Sequence, residues 1–423
     1  MKKTLSFLVI VFVLIFAVSC GSSSDPEPTT EPTTEPTTEP TTEPTTEPTT
    51  EPTTEPTTEP TEEPDSEEPD SEEPDAEEPD SEEPDSEEPD SEEPDAEEPF
   101  ETHEIIGRYH DAWNYSHIIS RTAWLQPSEY GDSLFHIKYV DSVDDFIIAH
   151  NDAEKAFFKE KWSRFDYTIK EGKIYYCQIA FNADTKEDAF AATTADRTDL
   201  TEKGCNDNPW SELIAVVEEP IDKDDEKIVA WATGYENYIV GEGVTEEWQT
   251  PEKALGKAVG DSYDVVVLGD GGSIVLTFAK PITDGEDADF AVFENSFNDG
   301  FLELGTVEVS SDGENFVAFD HFYLGLEKIG GTGSHDASLI WGFAGKFRQG
   351  KGTMFDLADL KGKPEVVDGS VNLEAITHIK IVDVIGDGSQ FDSIGDPIYD
   401  PYPTGAISAG FDLDAIAVIN EKL

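Results

Sequence analysis

The chain has 423 residues, with 94 Asp and Glu against 27 Lys and Arg and a formal net charge of -67 at pH 7. A chain so acidic is a poor candidate for nucleic acid, because phosphate binding needs clustered basic side chains, and charge will not draw it to anionic lipid. The imbalance is uneven: 33 of the acids and 18 of the 27 prolines lie in residues 21–99, which hold no Lys or Arg.

At the N-terminus, Lys2 and Lys3 precede an apolar run from Leu5 to Val18, then Ser19 and Cys20. That is the layout of a secretory signal over 1–19. The ending Ala17-Val18-Ser19-Cys20 resembles a bacterial lipobox, with Ala17 where Leu is usual. The resemblance implies cleavage before Cys20 and diacylglycerol on its sulfur, making the membrane a partner through lipid. Gly21, not Asp, follows Cys20, which favours the outer membrane in a Gram-negative cell and surface exposure. An ordinary signal peptide or an uncleaved helix are the alternatives. Repeats of Glu-Pro-Thr-Thr from Glu27, then of Pro-Asp-Ser/Ala-Glu-Glu from Pro64, fill the segment to residue 99. With almost nothing to bury, they predict a disordered acidic stalk over 20–99. Proline and like-charge repulsion extend such a chain, to on the order of 240 Å at roughly 3.1 Å per residue. A spacer is expected; an acidic tail of no selected length is the alternative.

Residues 100–222 predict a small all-β domain, an antiparallel meander or barrel. Strands are expected over 105–113, 115–120, 133–140, 144–150, 162–169 and 173–180, from alternation such as Phe135, Ile137 and Tyr139 against His136 and Lys138. Cys177 and Cys205 are the only cysteines after Cys20. In an exported chain the pair suggests a disulfide; free thiols or half a metal site are the alternatives. His103, His110, His117, His136 and His150 lack metal-ligand spacing and read as exposed strand residues. Trp162, Arg164 and Asp166 alternate on one face and predict a structural Arg–Asp pair under Trp. Lys161-Trp162-Ser163-Arg164-Phe165-Asp166, Ile174-Tyr175-Tyr176-Cys177-Gln178, Gly204-Cys205 and Pro209-Trp210-Ser211 together resemble a module of delta-proteobacterial-type lipoproteins. That resemblance implies a compartment and no chemistry.

After Pro220–Asp225, a link in composition, residues 225–423 predict a second β domain. Strands are expected at Val265–Leu268, Ser273–Phe278, Phe290–Glu294, Thr306–Ser310, Phe316–Phe319, His378–Val384 and Phe411–Ile419, with helical signal only near 251–258 and 355–360. Asp289-Phe290-Ala291-Val292-Phe293-Glu294-Asn295, Val307-Glu308-Val309-Ser310-Ser311-Asp312-Gly313, Ile381-Val382-Asp383-Val384 and Gly410-Phe411-Asp412-Leu413-Asp414-Ala415-Ile416 follow in order. They resemble a family of bacterial cell-surface proteins without assigned function. The resemblance implies a jelly-roll β-sandwich like galactose-binding and carbohydrate-binding modules.

The chemistry in this region is hard oxygen. Asp412 and Asp414 alternate on the last strand and Glu294 ends another, with Asp383 close behind a third; several acids from separate loops suit a structural Ca²⁺. Asp414 before Ala415-Ile416 resembles the calcium aspartate of carbohydrate-binding jelly rolls. The alternative is that these acids serve turns by accepting from their own backbone. Trp341, Tyr399 and Tyr402, read as loop aromatics, are candidates to stack on sugar rings, or Tyr399 to Pro403 is a rigid loop packed on itself. No nucleophile elbow or phosphate loop is present. The expected role is therefore non-catalytic, binding a glycan or a surface protein. A glycan hydrolase using Glu294 with Asp383 or Asp412, or a purely architectural surface protein, are the alternatives.

Overall fold

The structure, a computed structural model, describes residues 103–422 apart from Glu129, Tyr130, Ala156 and Ala406. The expected signal segment, Cys20 and stalk lie outside the described residues. The fold is all-β, as the patterning predicts, with a barrel followed by a jelly-roll sandwich.

The barrel runs through β1 (Gly107–His110), β2 (Ser116–Ile119), β3 (Ala123–Gln126), β4 (Ser133–Asp141), β5 (Phe146–Asn151), β6 (Trp162–Lys170), β7 (Lys173–Ala183) and β8 (Ser211–Ala215). Each strand pairs antiparallel with the next, and β8 returns to β1 through Tyr109↔Ala215 and His110↔Ile214. The meander is thus closed, which removes its edges. Phe135 and Ile137 of β4 point inward with Ile147, Phe165 and Tyr167, and the Trp124 ring stacks on Phe165 at 4.3 Å. One histidine joins them. His117 is buried and accepts from Trp124 Nε1 at 3.1 Å, with Asp111 3.7 Å from its Nε2. His103 is buried too; the expectation of exposed histidines fails for both because each ring faces a hydrogen-bond partner inside the domain.

Between β7 and β8 the chain makes an excursion with one short helix, α1 (Lys186–Phe190), capped by Thr185. Two devices pin it to the barrel wall. Cys177 and Cys205 are disulfide-bonded. Arg164 donates to Asp166 at 2.7 Å and to the carbonyls of Phe190 and Ala192, while Asp166 accepts from Ala195 N at 2.8 Å. The Arg–Asp pair is structural, as expected, but Arg164 lies over Phe146 at 4.1 Å rather than beneath Trp162.

The sandwich comprises β9 (Ile221–Asp222), β10 (Ala230–Trp231), β11 (Gly234–Ile239), β12 (Val266–Val267), β13 (Ser273–Ile282), β14 (Phe290–Glu294), β15 (Gly305–Ser310), β16 (Val317–Ala318), β19 (Lys351–Phe355), β20 (Ile376–Asp383) and β23 (Asp412–Val418). Two further ribbons join β17 (Phe322–Tyr323) to β18 (Ile340–Trp341) and β21 (Asp387–Phe391) to β22 (Pro397–Tyr399). One sheet is ordered β10-β23-β14-β19-β9 with β12 also on β23; the other is β11-β13-β20-β15-β16. Leu276, Val292, Val307, Ile379, Ile381, Leu413 and Ile416 fill the layer between them. Pro220–Asp225 is not a free link, because β9 already pairs with Lys351 and Gly352.

Barrel and sandwich belong to one compact unit. Ile118, Ala123 and Leu125 pack with Phe322, Leu324, Trp341 and Ile394 across the junction. Lys346 pairs with Glu218 at 2.6 Å and lies 3.7 Å above the Trp341 ring, which Arg108 also approaches at 5.0 Å. Trp341 is therefore an interdomain core residue on a strand, 3 % exposed, and not the loop aromatic the sequence suggests.

The disulfide closes a loop of sequence separation 28. In the chain-entropy account that constraint contributes about 3–4 kcal/mol. Replacing Cys177 and Cys205 together by Ser should lower the free energy of denaturant unfolding by about this amount; unchanged unfolding on reduction would contradict it.

Candidate functional site

The acids singled out in the sequence gather around the start of β23, but they are held in different ways. Asp414 is nearly inaccessible and accepts from the backbone N–H groups of Val259 at 2.9 Å and Gly260 at 2.8 Å. Asp383 accepts from Phe411 N and Gly271 N, each at 2.7 Å. That contact is close enough that a Cβ on Gly410, at φ +73, would meet Asp383 Oδ1 at 2.5 Å. Both carboxylates are thus structural staples: Asp414 holds the loop before β12, and Asp383 ties the 269–272 turn to the entry of β23. The turn reading describes them better than the calcium reading.

Asp412 and Glu294 differ. Asp412 Oδ2 accepts from Asn295 Nδ2 at 2.8 Å and Glu294 Oε2 from Ser296 N at 2.8 Å. Their other oxygens, Asp412 Oδ1 and Glu294 Oε1, are buried without a partner. Glu294 is 1 % exposed and Asp412 7 %. A further acid, Glu303, is buried as well, at 6 % exposure. It escapes the sequence reading, although its position between the buried Leu302 and Leu304 was a signal: a charge flanked by two core side chains is itself buried or at a core edge.

The strand geometry explains the gathering. A bulge between Phe293 and Glu294 leaves Glu294 opposite Leu413, whereas Phe293 is opposite Ala415. Asp414 is the extra residue. In consequence Leu413, Ile416 and Val418 face the sandwich core while Ala415 and Ala417 face outward. The strict period of two, which would put Ile416 and Val418 on the face of Asp412 and Asp414, breaks at that point.

Burial dominates the electrostatics. It pushes the Asp412 carboxyl up to about 8 against the opposing Asn295 hydrogen bond, Asp383 up to about 7 and Asp414 up to about 6. Burial also raises Glu294 and Glu303 well above the usual range, and the negative charge of Asp412 adds to both. Among the described residues no Lys, Arg or His forms an ion pair with Glu294, Glu303, Asp383, Asp412 or Asp414.

Other acids are held by hydrogen bonds and ion pairs, and Asp284 Oδ1 and Asp396 Oδ2 are also buried without a hydrogen-bond partner. Asp392 accepts from the N–H groups of Tyr323, Ile394 and Asp396, and Asp400 from Leu304 N, with His335 Nε2 at 2.9 Å. Asp284, Asp289 and Asp356 place carboxylate oxygens within 4.8 Å of one another. There Asp284 pairs with Lys361 at 2.7 Å, Asp289 accepts from Gly285, Asn420 and Leu357, and Asp356 caps Ala358. Of the aromatics, Trp341 is buried and Tyr399 is half-buried with its ring 6.2 Å from Tyr323. Tyr402 is half-buried. None of the three lines the shallow cavity of about 430 Å³ formed by Tyr323, Glu327, Lys328, Ser334, His335 and Asp336 among others.

A pH dependence follows. Burial lowers His103, His117 and His335 to about 4. The unfolded chain then binds the extra protons below their ordinary 6.5, so these histidines make stability rise with pH up to about 6.5. The raised carboxyls act in the opposite sense: the folded state holds the protons, and stability falls as pH climbs from about 4 through each raised value. Above about 6.5 the carboxyl effect leads, through Asp383 near 7 and Asp412 near 8, and Lys155, lowered by burial to about 8, opposes it as the pH nears 8. With chelator present, the melting temperature should fall between pH 6.5 and 8; a flat or rising profile there would contradict the assignment.

A scan against protein-family models finds no match for this chain, and a search of curated proteins finds none either.

Proposed function

We propose that this protein is a lipid-anchored component of the outer membrane surface, whose barrel and sandwich form one head with a non-catalytic binding or structural role. The observation that carries this reading is the order of segments along the chain: a Lys2-Lys3 and apolar leader, Cys20 at the expected processing point, a long acidic proline-rich stretch, then the folded part. Anchor and spacer account for one another, and the Cys177–Cys205 disulfide suits an oxidising compartment. Among the described residues no helix is long and apolar enough to cross a membrane.

A glycan is the ligand class the head suits best. Its cavity sets Tyr323 and His335 beside Glu327, Lys328, Ser334 and Asp336, a mixture of ring and polar groups that suits polyols. The burial of Glu294, Asp383 and Asp412 supports the non-catalytic reading over the hydrolase alternative.

Cys20→Ser should abolish labelling by radioactive palmitate and move the protein from the membrane pellet to the soluble fraction; retention in the pellet without label would exclude the lipid anchor. The same soluble variant on a glycan array should bind a polysaccharide, and Lys328→Ala, in the cavity lining, should weaken that binding severalfold, about 1 kcal/mol for one side-chain hydrogen bond. Silence across the array leaves the architectural role.

A further inference from the structure

We propose that the groove along the seam between barrel and sandwich binds a carboxylate-bearing glycan, a uronate oligosaccharide, with Lys155 and Arg108 as the side chains that recognise its charge. The inference rests on the glycan reading and gives that ligand a second site and a charge class. Two adjoining pockets form the groove, of about 320 and 240 Å³, and they share Leu125, Asp132, Asp320 and Phe322. Lys155 lines the first, and Arg108 with Trp341 lines the second. Each pocket thus takes one wall from the barrel and another from the sandwich, and seams between domains are favoured places for ligand sites.

Charge compensation in the groove runs opposite to that of the chain as a whole. Three basic residues are buried among the described residues, Lys155, Arg164 and Lys346. Arg164 pairs with Asp166 and Lys346 with Glu218. Lys155, 6 % exposed, forms no ion pair or side-chain hydrogen bond among the described residues, and its Nζ lies 3.8 Å from the centre of the Phe135 ring. Burial pushes this amine down to about 8. The Arg108 side chain has no such partner either. Its Nε is buried and unmatched, as is Nε1 of Trp341, whose ring it approaches at 5.0 Å. The acids of the groove are better matched. Asp152 is 2.7 Å from His136, Asp320 2.6 Å from Lys363 and Glu218 2.6 Å from Lys346. Asp132 accepts from Ser128 N, Glu154 is exposed to water, and burial raises Asp359 toward its neutral form. What stays unmet in the groove is therefore N–H donors and positive charge, within a chain of net charge -67. A buried cation without a counter-charge is costly. A neutral sugar would bring acceptors alone; a uronate brings acceptors and the missing charge, and such charge-assisted hydrogen bonds are the stronger kind. Leu125 and Phe322, common to both pockets, are the apolar surface for its ring. The structural alternative is that each base is held by its aromatic neighbour alone.

The test titrates the full-length Cys20→Ser chain with oligogalacturonate and with a neutral oligogalactose of the same length. Chelator is present, so that no calcium bridges acid to acid. The uronate should bind about tenfold tighter or more, and its advantage should shrink as salt rises. Lys155→Met and Arg108→Met should each remove most of that advantage. Lys186→Met, which takes a lysine from the Phe190 ring outside both pockets, should keep it. Equal affinity for the two sugars, or an advantage that survives both groove substitutions, overturns the proposal and leaves the glycan reading standing. No binding of either sugar or of any array glycan overturns both. Should the groove variants fail to fold, acetylation of Lys155 by an activated acetate ester decides on the unsubstituted groove, followed by mass spectrometry. Oligogalacturonate should slow that reaction severalfold and the neutral sugar should not. Equal rates, or a Lys155 that the reagent cannot reach, overturn the proposal.

Discussion

Strand β23 is buried at each of its seven residues and still carries two carboxylates. Water cannot solvate them, so the surrounding chain must. The turns on this side of the sandwich are shaped by that demand. The segment at 259–260 is drawn in to give two N–H groups to Asp414, and Asn295 turns its amide onto Asp412. Asp383, from the opposite sheet, holds Phe411 at the entry of the strand. Because β23 pairs with β10, β12 and β14, misplacing it would dismantle a whole sheet, and its polar anchors set its register as firmly as its apolar contacts do.

The bulge at Asp414 is the geometric solution to a conflict. Leu413, Ile416 and Val418 all need the core, yet a regular strand cannot turn residues 413 and 416 to the same side. One extra residue resolves this and sends Asp414 toward the backbone donors outside. The local cost is a weakened ladder. The gain is a core face without polar atoms beside an outer face where acids can be satisfied.

Much of this architecture was legible in the sequence. Long strands such as β4 and β20 stood out, because burial on one face imposes period two. β3 and β8 did not: Ala123, Trp124 and Leu125 are buried in succession, and β8 buries only Leu213, so neither alternates. Trp341 was misplaced on a loop although the run Leu339-Ile340-Trp341-Gly342-Phe343 is apolar throughout; its burial comes from the barrel, and contacts between domains leave no periodic trace. At the acid cluster the residue types were readable, but which oxygens remained free was not. That depends on Asn295, Ser296 and the 259–260 backbone folding back, which is information held in three dimensions.

The closure of the barrel has a mechanical consequence. The chain enters on β1 and leaves from β8, and these strands are antiparallel neighbours whose free ends, Gly107 and Val216, lie at the same end of the barrel, with Val216 N bonded to Arg108 O. Tension between the stretch before residue 103 and the sandwich would load that ladder as a zipper, one hydrogen bond at a time, which is the weak direction for a β-sheet. The sandwich guards this end. Arg108, on β1, lies over Trp341, and Glu218, just past β8, is gripped by Lys346. A pull must therefore prise the two domains apart before it can open the barrel, and the docking contacts act as a latch across the one seam where the fold would yield.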